Sequence, residues 1–125
     1  MANAHHDLGR AAEEAVAEWL QRLGWSILGR RVRSRHGGEV DLIARDPVGM
    51  LVAIEVRARR TARTGDGSEA IDRRRTGRIG RTLGAFAQAR SEGHRGMRID
   101  LVSVSPERGA DGRWRLRRTP AIGGW

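Results

Sequence analysis

Four charged side chains interrupt two apolar runs in the stretch GGEVDLIARDPVGMLVAIEVRAR, residues 37–59. Glu39 and Asp41 fall in the first run, Glu55 and Arg57 in the second. Side chains alternate along an extended chain, so Glu39, Asp41 and Ile43 share one face and Val40, Leu42 and Ala44 the other. In the second run Ala53, Glu55 and Arg57 share a face opposite Val52, Ile54 and Val56. Antiparallel pairing across the intervening turn brings the charged faces together and clusters three acids and one base at one end of a hairpin. Removing such acids from water without partners is costly. A divalent cation compensates: hard oxygen ligands suit Mg²⁺ or Mn²⁺, held by one or two carboxylates together with water and a substrate phosphate. Such an ion lowers the pKa of bound water and offsets charge developing on a phosphodiester. A neighbouring guanidinium acts on the same charge. The pattern reads as metal-dependent phosphodiester hydrolysis. It also reads as ordinary cross-strand ion pairs, Glu39–Arg57 or Glu55–Arg57, on a solvated sheet face.

Around this hairpin the chain supplies alternating helical and extended patterns. Leu8, Ala12, Ala15, Val16, Trp19 and Leu23 recur at helical spacing and predict a helix from about Asp7 to Leu23, with Asp7 as N-cap and Gly24 just past its end. On that helix Glu14 lies opposite the apolar stripe, Glu18 pairs with Arg22, and Glu13 lies at the apolar edge near Leu20, where it can overhang a buried neighbour. Trp25–Val32 predicts a strand, followed by a basic loop over 33–38. Glu39–Arg45 and Met50–Ala58 predict the hairpin strands, joined by Asp-Pro-Val-Gly. A loop is expected over Arg59–Gly67, then a second helical region from Ser68 to about Ser91. Ile71, Ile79, Leu83 and Phe86 point inward there, while Gly77, Gly80 and Gly84 weaken the helix and threaten to break it. Met97–Val104 predicts a strand parallel to the one before the helix, through a right-handed crossover. An edge strand follows around Trp114–Leu116. The order α-β-β-β-α-β-β gives an α/β fold, a mixed sheet flanked by helices. Residues 1–118 form one domain and 119–125 a loosely held tail. Asp100 is expected to buttress the sheet or pair with an arginine.

The 125 residues carry 24 Lys+Arg, all of them arginine, against 15 Asp+Glu, a net charge of +9. That excess points to a polyanionic partner, nucleic acid first and an acidic membrane surface second. Arg30, Arg31, Arg33 and Arg35 precede the hairpin, and Arg73, Arg74, Arg75, Arg78 and Arg81 crowd the second helix, placed to contact phosphates on either side of the acids or to form a solvated face. There is no cysteine, which excludes disulfides and thiolate metal sites. His5, His6, His36 and His94 show no paired ligand spacing, and only His36 is near the acids. No apolar run is long enough for a membrane helix, and the N-terminus MANAHHDLGR lacks the apolar core of a signal peptide. A cytoplasmic protein with no membrane partner is the expectation.

The hairpin, together with LGRAAEEAVAEWLQRLGW, RRRTGRI and MRIDLVSV, resembles the YraN family of small uncharacterised bacterial proteins. That family is similar to the PD-(D/E)XK nucleases and to archaeal Holliday-junction resolvases. The resemblance covers most of the chain and implies a restriction-endonuclease-like core. It also implies a metal site with Asp41 and Glu55 as acidic ligands, Glu13 as the first-helix glutamate and Glu39 as accessory. Arg57 falls where the motif usually has lysine. Arg75 and Arg78 match basic positions of a K-x-x-R-I-like segment. The expected activity is Mg²⁺- or Mn²⁺-dependent cleavage of DNA, with Arg57 stabilising the transition state and Arg31, Arg33, Arg35, Arg75 and Arg78 binding nucleic acid. Related enzymes work as dimers, which allows a homodimer here. Arginine stays protonated, so Arg57 is poorly suited to proton transfer. A nucleic-acid-binding module without turnover is therefore a second reading, and an interaction protein whose acids only form ion pairs is a third.

Overall fold

The computed structural model describes residues 4–58, 73–90, 93–106 and 114–122, with side chains for 9–58, 73–90, 93–105 and 114–122. Its elements run α1 (Ala4–Arg22), β1 (Ser26–Val32), β2 (Val40–Arg45), β3 (Leu51–Ala58), α2 (Arg73–Ala89), β4 (Met97–Pro106) and β5 (Trp114–Thr119). The order matches the one predicted. All five strands lie in one sheet, β1-β2-β3-β4-β5. β1, β2 and β3 pair antiparallel, β3 and β4 parallel, and β5 returns antiparallel at the edge. A parallel pair cannot be closed by a tight turn, which is why α2 lies between β3 and β4.

α1 covers one face of the sheet. Ala12, Val16, Ala17 and Leu20 pack there with Trp25, Leu42, Ala44, Val52, Ile54, Val102 and Val104. α2 covers the other, with Ile79 and Leu83 against Val40, Ile43, Leu51, Ala53 and Ile99. The α1 stripe is rotated from the one expected, because Ala17 and Leu20 are buried while Leu23 is 52% exposed. The reason is how the helix ends. Gly24 takes φ +91°, its N–H bonds the Gln21 carbonyl at 3.1 Å, and Trp25 N–H bonds the Leu20 carbonyl at 3.0 Å. This helix stop sets Trp25 against Leu20 and turns Leu23 outward.

α2 is continuous through Gly77, Gly80 and Gly84, the glycines that weaken it and threatened a break. Burial of Ile79, Gly80, Thr82 and Leu83 against the sheet outweighs the weak intrinsic propensity. The expected start at Ser68, the inward Ile71 and the loop over Arg59–Gly67 lie outside the described residues. The turn after β2 forms as expected: Gly49 N–H bonds the Asp46 carbonyl at 3.0 Å and Gly49 takes φ +96°. The tail expected to be loose from 119 is bound as far as Ile122. Ala121 N–H bonds Asp100 at 3.0 Å, and Ile122 N–H bonds the Ile99 carbonyl at 2.9 Å. Among the described residues no helix is long and apolar enough to cross a membrane.

Candidate functional site

The sheet forks beside Asp41. The β2–β3 ladder runs from Arg45↔Leu51 to Leu42↔Ile54 and stops there, whereas β1–β2 continues to Val32↔Val40. Beyond the last rung, Asp41 Oδ2 accepts the Val56 N–H at 2.8 Å. A carboxylate thus replaces the carbonyl that a continuing strand would have offered. Alternation also fails at the fork, since Val40 packs with Ile43 on the α2 side rather than with Leu42. Arg31, on β1 beside this point, is in the left-handed region with φ +49°, a conformation that a non-glycine residue adopts only when its surroundings hold it there. Asp41 therefore stands at the sheet end, with Glu55 of β3 beside it and Glu13 of α1 near enough for its charge to act on it.

Two buried carboxylates in contact cannot both stay ionised cheaply. Burial is the largest cause pushing the Asp41 carboxyl up to about 8, followed by its hydrogen bond to Glu55 and the charge of Glu55. The Val56 N–H opposes the rise, and the charge of Glu13 adds to it. Protonated Asp41 donates to the Glu55 carboxylate. Burial pushes Glu55 upward too, but hydrogen bonds from Arg75 and Asp41 and the charges of Arg75 and Arg57 hold it below the usual carboxylate range. Arg75 grips it at two points: Nε to Oε2 at 2.6 Å and a terminal nitrogen to Oε1 at 3.1 Å. The same terminal nitrogen bonds the Glu39 carbonyl at 3.2 Å, pinning α2 to the hairpin. Bonding to Glu55 in turn raises the Arg75 pKa against its burial.

The predicted residues separate into several groups. Asp41, Glu55 and Arg75 are in contact, and the Arg57 charge reaches Glu55. Arg57 forms no ion pair among the described residues. Glu13 is held by Arg31, Nε to Oε1 at 3.2 Å, and is 18% exposed. It also lines an open cleft of about 360 Å³ with Glu14, Arg30 and Arg31. Glu39 faces outward and pairs with Arg33 at 2.7 Å. Arg35 and Arg78 are exposed. Among the described residues no three or more acids or histidines are spaced to hold a metal ion by themselves. Asp41 and Glu55 nevertheless make an oxygen donor pair that suits Mg²⁺ or Mn²⁺ with water completing its shell. The excess proton on Asp41 marks where positive charge is short.

The Arg75 grip on Glu55 was legible in principle. Arg75 falls on the inward stripe of α2 with Ile79, Thr82 and Phe86, and an arginine there needs a buried acid on the facing sheet. A second polar cluster had a weaker signal. Asp100, expected to buttress the sheet or pair with an arginine, is fully buried and accepts from Arg98 Nε and from Arg118, each at 3.0 Å. Arg98 also bonds Asp46 at 2.6 Å, and Asp46 accepts the Val48 and Met50 N–H groups at 3.0 and 2.9 Å. Asp46 is held below the usual carboxylate range because these bonds and the Arg98 charge outweigh burial. Both guanidiniums lie 5.5 Å from the Trp25 ring centroid, within cation–π range.

A family model described as "Uncharacterised protein family UPF0102" matches residues 12–104. A UPF0102 protein of Symbiobacterium thermophilum is 40% identical over 110 residues, 88% of this chain and 90% of the relative. One of Herpetosiphon aurantiacus is 36% identical over 113 residues, 87% and 90% of the two chains. One of Desulforamulus reducens is 36% identical over 98 residues, 78% and 80% of the two chains. The matched stretch holds Glu13, Asp41, Glu55, Arg57 and Arg75, and the names of these relatives assign no activity.

Proposed function

We infer that this chain, which belongs to the uncharacterised protein family UPF0102 (the YraN family), is a metal-dependent phosphodiester hydrolase acting on DNA. The observation that carries this reading is the meeting of Asp41 and Glu55 at the forked end of the sheet. There Asp41 accepts the Val56 N–H and Arg75 grips Glu55, and burial and the neighbouring Glu55 push the Asp41 carboxyl up to about 8. Asp41 and Glu55 would hold a divalent cation, which would supply activation of water and charge compensation at a phosphodiester. Arg75 orients Glu55 through its two-point grip. Glu13 adds a third negative charge at the edge of the site, and Arg57, whose charge reaches Glu55, would offset charge on the phosphate. The net charge of +9 supports a nucleic-acid substrate.

The test uses the purified full chain with circular, flapped and junction DNA in Mg²⁺ or Mn²⁺. Cutting is expected, and Asp41→Ala should reduce it by at least about 10²-fold while leaving DNA affinity unchanged. Mn²⁺ titration monitored by melting temperature should stabilise the wild type and not Asp41→Ala, with about 2.7 kcal/mol expected at a hundredfold excess over Kd. Binding without cutting would instead favour a module without turnover, the reading suggested by Arg57, whose guanidinium cannot relay a proton.

A further inference from the structure

A second cleft lies along α2, away from the acids. It measures about 390 Å³ and is bounded by Ser34, Arg35 and His36 on one wall and by Arg81 and Gln88 on the other, with Gly84 among its lining residues. Its walls differ from those of the cleft beside Glu13. There, Arg30 and Arg31 are each paired with a glutamate, at 2.8 and 3.2 Å. Here no carboxylate lines the groove among the described residues. Arg81 uses only Nε, donating to the His36 carbonyl at 2.9 Å, so both terminal nitrogens lack a partner among the described residues. Arg35 has no ion-pair partner among them either.

The groove is held in shape before any ligand arrives. Gly38 N–H bonds the Arg78 carbonyl at 3.2 Å, Thr82 donates to the Gly38 carbonyl, and the Ser34 and Thr82 hydroxyls are 2.9 Å apart. Gly37 is pressed so closely on α2 that a Cβ there would collide with Thr82 and Ser34. At Gly84, by contrast, a Cβ would meet nothing within 4 Å, which leaves the groove open. Arg74, Arg78 and Arg81, all exposed, follow i, i+4, i+7 spacing and share one flank of α2. That flank leads from the end of the helix where Arg75 holds Glu55 toward the groove. From Arg75 to Arg81 the helix rises about 9 Å and to Gln88 about 20 Å, a run of roughly three to six nucleotides at 3.4 Å per step.

We propose that the Arg35–His36–Arg81 groove is a phosphate subsite for the nucleic-acid backbone, engaging a phosphate a few nucleotides from the one placed at Asp41 and Glu55. The proposal rests on the nucleic-acid part of the reading above and is independent of turnover. The groove supplies the positive charge and hydrogen-bond donors that suit a phosphate, a contact that fixes position along the strand and carries no sequence information directly.

The experiment measures binding of a labelled 20-mer, single-stranded and duplex, to the full chain in EDTA by fluorescence anisotropy between 50 and 200 mM salt. Arg35→Ala, Arg81→Ala and Gly84→Glu are compared with Arg115→Ala on β5. Each phosphate that the groove no longer neutralises should lower the log–log salt slope by about 0.7 for single strands and 0.9 for duplex, so that the affinity drop across this salt range shrinks about threefold. Gly84→Glu places a carboxylate in open space and tests the groove without removing the Arg81 bond to His36. Unchanged slopes in all three groove variants would overturn the proposal, as would an equal change in Arg115→Ala. So would groove variants that lose binding to vesicles of phosphatidylserine and phosphatidylcholine while keeping oligonucleotide affinity. Altered slopes in a chain that never cuts DNA would uphold the groove and sink the hydrolase reading. Cutting with unaltered slopes would do the reverse.

Discussion

Two pairs of acids occupy the same sheet and are treated in opposite ways. At the turn end, Asp46 and Asp100 face Arg98 and Arg118, two negative charges against two positive ones. Each of their four carboxylate oxygens accepts at least one hydrogen bond. At the forked end, Asp41 and Glu55 have one gripping guanidinium, Arg75, and Asp41 makes up the difference with a proton. The first pair is balanced in charge and joins β2, β4 and β5 with the chain after β5. The second sets two acids against one gripping guanidinium and keeps Asp41 protonated. Burial alone does not distinguish them, because Asp46 and Glu55 are 7% and 6% exposed. The count of partners does.

The largest test of this contrast is Asp100→Asn against Asp41→Asn. Asp100→Asn leaves Arg98 and Arg118 facing a neutral group in a buried network, and urea denaturation should show a loss of about 3 kcal/mol. Asp41→Asn should show no loss at neutral pH. Equal losses would mean that the two ends are built alike.

A finer test follows from the sign of the Asp41 shift. Between about pH 4, where the unfolded carboxyl titrates, and about 8, the folded chain holds a proton that the unfolded chain has released. Wild-type stability therefore falls as pH rises through that window. Asp41→Asn removes the decline, so the variant should be more stable than wild type at pH 9, by at most about 5 kcal/mol, the gap closing toward pH 4. Glu55 and Asp46, both held low, contribute in the opposite sense: their stabilisation is present above the usual carboxylate range and is lost as pH falls through their lowered values.

The smallest effect belongs to a pair at neither end. Arg30 and Glu14 approach to 2.8 Å but are 47% and 56% exposed. Arg30→Ala should change stability by under ~0.5 kcal/mol in denaturant titration, and by less in high salt.

Much of this was legible in the residues, and the rest was hidden for physical reasons. The hairpin, its turn and the parallel crossover follow from alternation, from Asp-Pro-Val-Gly and from a helical segment set between two extended ones. Asp41 and Glu55 stand out because each breaks an apolar strand at the same phase. For Arg75 the spacing suggests a phosphate contact, whereas the structure places it on Glu55, 20 residues away. Its place on the inward stripe of α2 calls for a buried acid on the facing sheet, but spacing alone does not single out Glu55 among the acids there. The left-handed Arg31 and the flipped Val40 arise where one strand pairing ends and another continues, and no local pattern announces such a fork. The glycines of α2 suggest a break that does not occur, because tertiary burial outweighs intrinsic propensity.

The clamp of residues 34–38 on α2 has a kinetic consequence. Its hydroxyl and carbonyl contacts join positions 44 to 48 apart in the chain, so closing them requires the hairpin and the crossover to be already in place. In stopped-flow refolding, recovery of oligonucleotide binding should lag behind the burst of helical circular dichroism. A chain cut short before Arg73 should form a hairpin and never acquire the groove.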